Sequence, residues 1–164
     1  KPDPNYKMTQ AEYDEQFNFL LSVRDKFNET QKAIKDIRAL RTQINDFTGR
    51  QGKDMPKEVK EMADTINKQM TAVEEALYQT KAKSGQDVLN FPIKLNDKIS
   101  GLFDAANSGV NPPSKQVRDV FADLSKQTDE QLNKLKKIKE EEILKLNNLI
   151  REKTLPVIGL APVK

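Results

Sequence analysis

TQAEYDEQFNFLLSVRDKFNETQKAIKDIRALRTQINDF, running from Thr9 to Phe47, decides how this chain folds. With Leu20 as position a of a heptad, Tyr13, Leu20, Phe27 and Ile34 fall on a, while Val23, Ile37 and Ile44 fall on d. Phe19, Ala33, Leu40 and Phe47 widen the stripe at g. That spacing predicts one helix of about ten turns with a broad apolar face. An isolated helix cannot bury such a face, and a single partner would leave part of it wet, so later segments must supply matching faces and the product is a helical bundle.

Working outward, Thr9 and Glu12 have the spacing of a capping box, with Met8 and Tyr13 at the two staple positions. Thr48-Gly49-Arg50-Gln51-Gly52 supplies the stop, since glycine accepts a left-handed cap. A second helix is expected from Asp54 or Met55 with Pro56 in its first turn, where a missing N–H costs nothing. Val59, Ala63, Ile66, Met70, Val73, Leu77 and Thr80 follow in steps of four and three, a heptad seam expected to run back antiparallel to the first helix. Met62 and Met70 read as core filler.

From Lys81 to Asn90 the period is lost, and Ser84-Gly85-Gln86-Asp87 reads as a turn. Asn90 is expected to cap a third helix of about four turns, with Phe91 and Pro92 in its first turn and Leu95, Ile99, Leu102, Phe103 and Ala106 inward. Asn107 to Pro113 forms a connector, and Asn111 or Ser114 caps a last helix reaching Lys153. Its inward residues are Val117, Phe121, Leu124, Thr128, Leu132, Leu135, Ile138, Leu146 and Leu149. Between Ile138 and Leu146 the period is muddled, with Glu142 near the seam and Ile143 beside it, so weaker packing or an exposed end is expected there. The predicted architecture is all-α: an antiparallel up-and-down bundle of four helices, two of them long and the third short. Residues 1–8 form an extended linker, residues 9–153 the bundle and residues 154–164 a C-terminal tail interrupted by Pro156, Gly159 and Pro162. Lys1-Pro2-Asp3-Pro4 reads as a cut within a linker.

Composition narrows the chemistry. The 164 residues suit one domain, and a 36% hydrophobic fraction beside 32% charged residues fits long helices with one buried face. Without Cys, His or Trp there are no disulfides, no thiol or imidazole catalysis and no Cys or His metal ligands. The absence of Cys leaves the compartment open. No apolar run approaches the roughly 18 residues that a membrane span needs. Thr9 to Arg50 carries seven basic and seven acidic residues, Lys53 to Lys83 six of each, and Ser114 to Lys153 ten against eight. No helix is a basic stripe, which argues against nucleic-acid binding.

A glycosidase would need two carboxylates about 5 to 10 Å apart in a cleft that keeps one protonated. The acidic clusters Asp14-Glu15, Glu74-Glu75 and Glu140-Glu141-Glu142 fall mainly on outward helix faces, with Glu142 alone near a seam and without an evident partner. They are interspersed with lysines and lack the alternating ligand loop of a calcium site. The residues therefore designate no catalytic, cofactor-binding or metal-binding group.

QTKAKSGQDVLNFPIKLNDKISGL, Gln79 to Leu102, is similar to a segment near the C-terminus of large bacterial proteins that carry sortilin-like (VPS10-type) or BNR-repeat β-propellers, many of them labelled glycosyl hydrolases. The resemblance extends to Val120-Phe121-Ala122-Asp123-Leu124, the Leu132-Leu135 helix, Arg24-Asp25-Lys26 and Ile34 to Arg38. Such proteins often have a Gly-Asp-type turn before the last helix where this chain has Ser108 to Pro113. The resemblance implies a noncatalytic C-terminal helical module, a spacer or protein-interaction domain whose partner is the propeller or another protein, in a secreted, periplasmic or cell-envelope setting. Any hydrolase activity would belong to the propeller, and no catalytic residue transfers. Within the motif, Asn90, Lys94, Asn96 and Lys98 are the candidates for a ligand patch. The alternatives are a part of a glycoside hydrolase that contributes to catalysis or carbohydrate binding, and a sensory or interaction bundle of another envelope protein.

Overall fold

The computed structural model describes residues 8–84, 87–107 and 111–157, and it is all-α, with no strand among the described residues. The lead-in Lys1 to Lys7, Gly85 and Gln86 of the expected turn, Ser108 to Val110 of the connector and Ile158 to Lys164 of the tail lie outside the described residues.

Helix α1 spans Gln10–Gln51, 42 residues or about 63 Å at 1.5 Å per residue. Its capping box forms as expected: the Thr9 hydroxyl accepts the Glu12 N–H at 3.3 Å, and the Glu12 carboxylate accepts the Thr9 N–H at 2.7 Å. The helix runs through Gly49 and stops at Gly52, whose φ of 56° and ψ of −124° suit glycine alone. A 3₁₀ turn, Gly52–Asp54, follows, so Pro56 becomes the N-cap of α2, Lys57–Leu77, rather than a first-turn residue. Met55 before it is extended, as a residue preceding proline must be. All the predicted seam residues of α2 are buried except Thr80, which is exposed beyond the helix end.

Asn90 does not cap α3. Asp87–Leu89 makes a 3₁₀ turn instead, with the Asp87 carboxylate accepting the N–H groups of Lys83 (2.5 Å) and Ser84 (2.9 Å). Helix α3 then spans Leu95–Asn107 and buries Leu95, Ile99, Leu102 and Ala106 as expected, but Phe103 is 41% exposed. Helix α4, Lys115–Lys137, starts on Ser114, whose hydroxyl accepts the Val117 N–H at 3.3 Å. It continues through a π turn, Ile138–Glu142, into α5, Ile143–Glu152, with right-handed backbone throughout, so the three pieces form one rod. The muddled period is this π turn. Ile138, Leu146 and Ile150 are all buried, so the expected weak packing is replaced by a local widening that keeps apolar residues inward on both sides.

Directions differ from the up-and-down expectation. Three pairs join α1 to the last rod, Glu15 with Arg118, Lys26 with Asp129 (2.6 Å) and Asp36 with Lys139 (2.9 Å), each separated by 103 positions. A constant separation means that the two long helices run parallel. Helix α2 is antiparallel to α1, since Arg38 meets Glu74, Arg41 meets Thr71 and Asn45 meets Asn67. Helix α3 begins beside the end of α2, where Gln79 Nε2 donates to the Pro92 carbonyl (2.8 Å), and ends beside Gln16, which donates to the Ala106 carbonyl (3.0 Å). Thus α2 and α3 follow one another in line, and each level of the bundle holds three helices rather than four.

The core runs the length of this rod through Val23, Ile37, Val59, Ile66, Met70, Leu77 and Ile99, each nearly or fully inaccessible. Thr30 and Thr128 are buried with them and return their hydroxyls to the carbonyls of Lys26 (2.8 Å) and Leu124 (2.9 Å). At the far end Leu155 packs against the core, while Arg50 and Gln51 donate to the Val157 (3.1 Å) and Pro156 (2.8 Å) carbonyls.

Gly52→Ala should cost about 1–3 kcal/mol in urea unfolding, because the backbone there excludes a Cβ. Gly49→Ala, where an added Cβ meets nothing within 4 Å, should instead stabilise by about 0.5–1 kcal/mol. The parallel arrangement predicts that a short bismaleimide joins cysteines placed at 15 and 118 efficiently and fails between 15 and 145. The reverse yield would show the long helices to be antiparallel.

Candidate functional site

Among the described residues, Glu74 is the one acidic side chain that the fold takes out of water. It lies between Val73 and the end of α2, on the flank turned toward α1, and its side chain is 5% exposed. Arg38 Nε donates to Glu74 Oε1 at 2.7 Å, and Arg41 Nη1 to Oε2 at 2.7 Å. Arg41 also donates to the Thr71 hydroxyl at 3.2 Å, and the Arg38 guanidinium lies 5.0 Å from the centre of the Tyr78 ring. Burial alone would raise the Glu74 carboxyl, but hydrogen bonds and charge from the two arginines outweigh it, and its pKa falls below the ordinary glutamate value. Such a group is an anion with both oxygens occupied. It is suited to fixing α2 against α1, and it lacks the raised pKa and free oxygen of a general acid.

The expectation that Glu74 faces outward is therefore corrected. Its place one residue from the seam was visible in the heptad pattern, but the arginines that cover it belong to a distant stretch. A signal existed: folding α1 and α2 back about the Gly52 turn brings Arg38 and Arg41, one helical turn apart, level with residues 71 to 74.

The other acidic clusters lie mainly at the surface, where only Glu15 and Glu142 pair with cations. Glu15 meets Arg118 across helices, Asp14 accepts from Gln10 at 2.8 Å, and Glu142 accepts from Lys145 at 2.8 Å while Glu140 and Glu141 are exposed. Asp36 is held below the usual carboxylate range by Lys139 and then Lys32, and Glu58 by Lys153. On Lys26, burial opposes the charge, but Asp129 and Glu29 prevail and raise its pKa. Among the described residues no three acidic side chains gather where a metal ion could be held.

The motif candidates do not converge. Asn90 and Lys98 are exposed and Lys94 is half-buried, whereas Asn96 is turned into the core, its Nδ2 donating to Asp97 at 3.2 Å and its Oδ1 without a partner.

Several shallow recesses mark the long faces. One, about 500 Å³, lies between the last turns of α1 and α5 with Ile44, Phe47, Leu146 and Ile150 in its lining. Another, about 390 Å³, lies between α2 and the π turn. No family model matches this sequence, and neither curated proteins nor solved structures contain a match.

Replacing Glu74 by Ala should destabilise the fold by about 2 kcal/mol, less than for a fully enclosed pair because Arg38 is half exposed. The depressed pKa means that the carboxylate contributes fully at neutral pH and loses that contribution as pH falls through its folded value. The stability gap between the native chain and Glu74→Gln, measured by urea unfolding, should therefore narrow on acidification below the ordinary glutamate range. A gap independent of pH would remove the assigned role.

Proposed function

We propose that this bundle is a noncatalytic helical module, an in-line spacer and protein-interaction element of a larger exported protein. The observation that carries the reading is the parallel course of α1 and the last rod: the chain enters at Thr9 and leaves at Leu155 at opposite ends of a rod about 60 Å long. A module with both connections at one end would add a lobe, whereas this one adds length. The two arginines that occupy Glu74, and the solvent-facing positions of the other acidic clusters, favour a structural over a hydrolytic role.

The Gln79 to Leu102 resemblance makes a sortilin-like or BNR-repeat propeller the proposed neighbour in the parent chain, and a secreted or periplasmic location the proposed setting. The partner surface is then a helical face, and the module itself uses no cofactor.

The 164-residue chain should be helical by circular dichroism and should leave a panel of nitrophenyl glycosides unhydrolysed. In the full-length parent, lysine cross-linking followed by mass spectrometry should recover links between this rod and the propeller. Glycoside turnover by the isolated chain, or a parent without a propeller, would defeat the reading.

A further inference from the structure

We propose that the recess between α2 and the π turn binds a small carboxylate with an apolar body. Its buried floor is Val73 and Ile138, and Ala72 contributes only a methyl group, leaving about 390 Å³. That volume falls within the range of about 300–1,000 Å³ typical of small-molecule pockets, which are mostly apolar with a few polar groups fixing orientation. The π turn forms one wall through Ile138 and Glu142, the first and last residues of the turn, and widened turns of this kind recur at binding sites.

The charge of the recess selects the ligand. Lys134 and Lys137 stand on its rim, one helical turn apart, and neither makes an ion pair among the described residues, whereas Lys26, Lys139 and Lys145 are all paired. Lys134 Nζ donates only to Gln131 at 3.3 Å. Two like charges three residues apart repel, and an anion held between them relieves that repulsion. Glu142 in the same lining does not cancel the attraction, because Lys145 neutralises it at 2.8 Å. A carboxylate at the rim with its hydrocarbon against Val73 and Ile138 satisfies both parts of the recess.

Titration of the ¹⁵N-labelled chain with octanoate should shift the amides of Ala72, Val73 and Ile138 saturably. Acetate, which lacks the apolar body, and octylamine, which carries the opposite charge, should leave them in place. The double variant Lys134→Gln/Lys137→Gln should weaken octanoate binding at least tenfold, and Ala72→Leu should fill the recess and abolish it, with circular dichroism unchanged in both. The proposal is overturned if octylamine shifts the same amides with similar affinity, if either variant binds as tightly as the native chain, or if octanoate moves amides around Phe17 and Phe103 instead.

Discussion

One constraint governs the molecule: the apolar stripe of α1 is too wide for a single helix to hide. Val23 and Ile37 lie at its centre, while Phe19 on one flank packs edge-to-face on Phe121 of α4, ring centres 5.3 Å apart. The last rod covers one side of the stripe along its length, leaving the other side open. Neither α2 nor α3 is long enough to cover that side alone, so the two share it end to end. The tightness of the Gly52 turn and the in-line joint from Tyr78 to Lys94 both serve that arrangement.

Apolar seams bury area but are nearly indifferent to sliding by a heptad, so polar groups determine which residues meet. Between α1 and the last rod this falls to three solvent-accessible pairs, each worth about 1 kcal/mol or less, which count through their repetition at one separation. Between α1 and α2 it falls to Glu74. A buried carboxylate between two arginines is a poor source of net stability, yet a shifted register would leave the charge unpaired, which makes alternative alignments costly. Net affinity of the helices thus comes from the core, and uniqueness of their alignment from charge.

The periodic features were legible in the sequence. Helix existence, the Thr9 capping box, the Ser114 cap and nearly every core residue of α2 follow from spacing, because burial imposes the spacing directly. Direction was not legible, since an amphipathic face looks the same to a parallel and an antiparallel partner. The up-and-down reading assumed that every connection reverses the chain, whereas Tyr78 to Lys94 carries it onward, with Gln79 tying the joint to Pro92. The cap expected at Asn90 is absent because Asn90 closes the preceding turn, its N–H and that of Phe91 donating to the Asp87 carbonyl at 3.0 and 2.8 Å, and α3 begins only at Leu95. For the site, the outward positions of most acidic residues were read correctly, and Glu74 was missed because its neighbours become visible only once two helices are aligned. The Ile138 to Leu146 stretch announced itself as irregular, although the sequence pattern could not distinguish a frayed segment from a widened turn.

The uniform separation of 103 positions between the long helices has a mechanical meaning. Tension applied through the two chain ends pulls α1 and the last rod past one another along their common axis. Every contact between them is then loaded at once, in shear, instead of being peeled open one turn at a time. A rod wired this way resists extension through its whole interface, a property suited to a linker that must keep its length while whatever it joins is pulled.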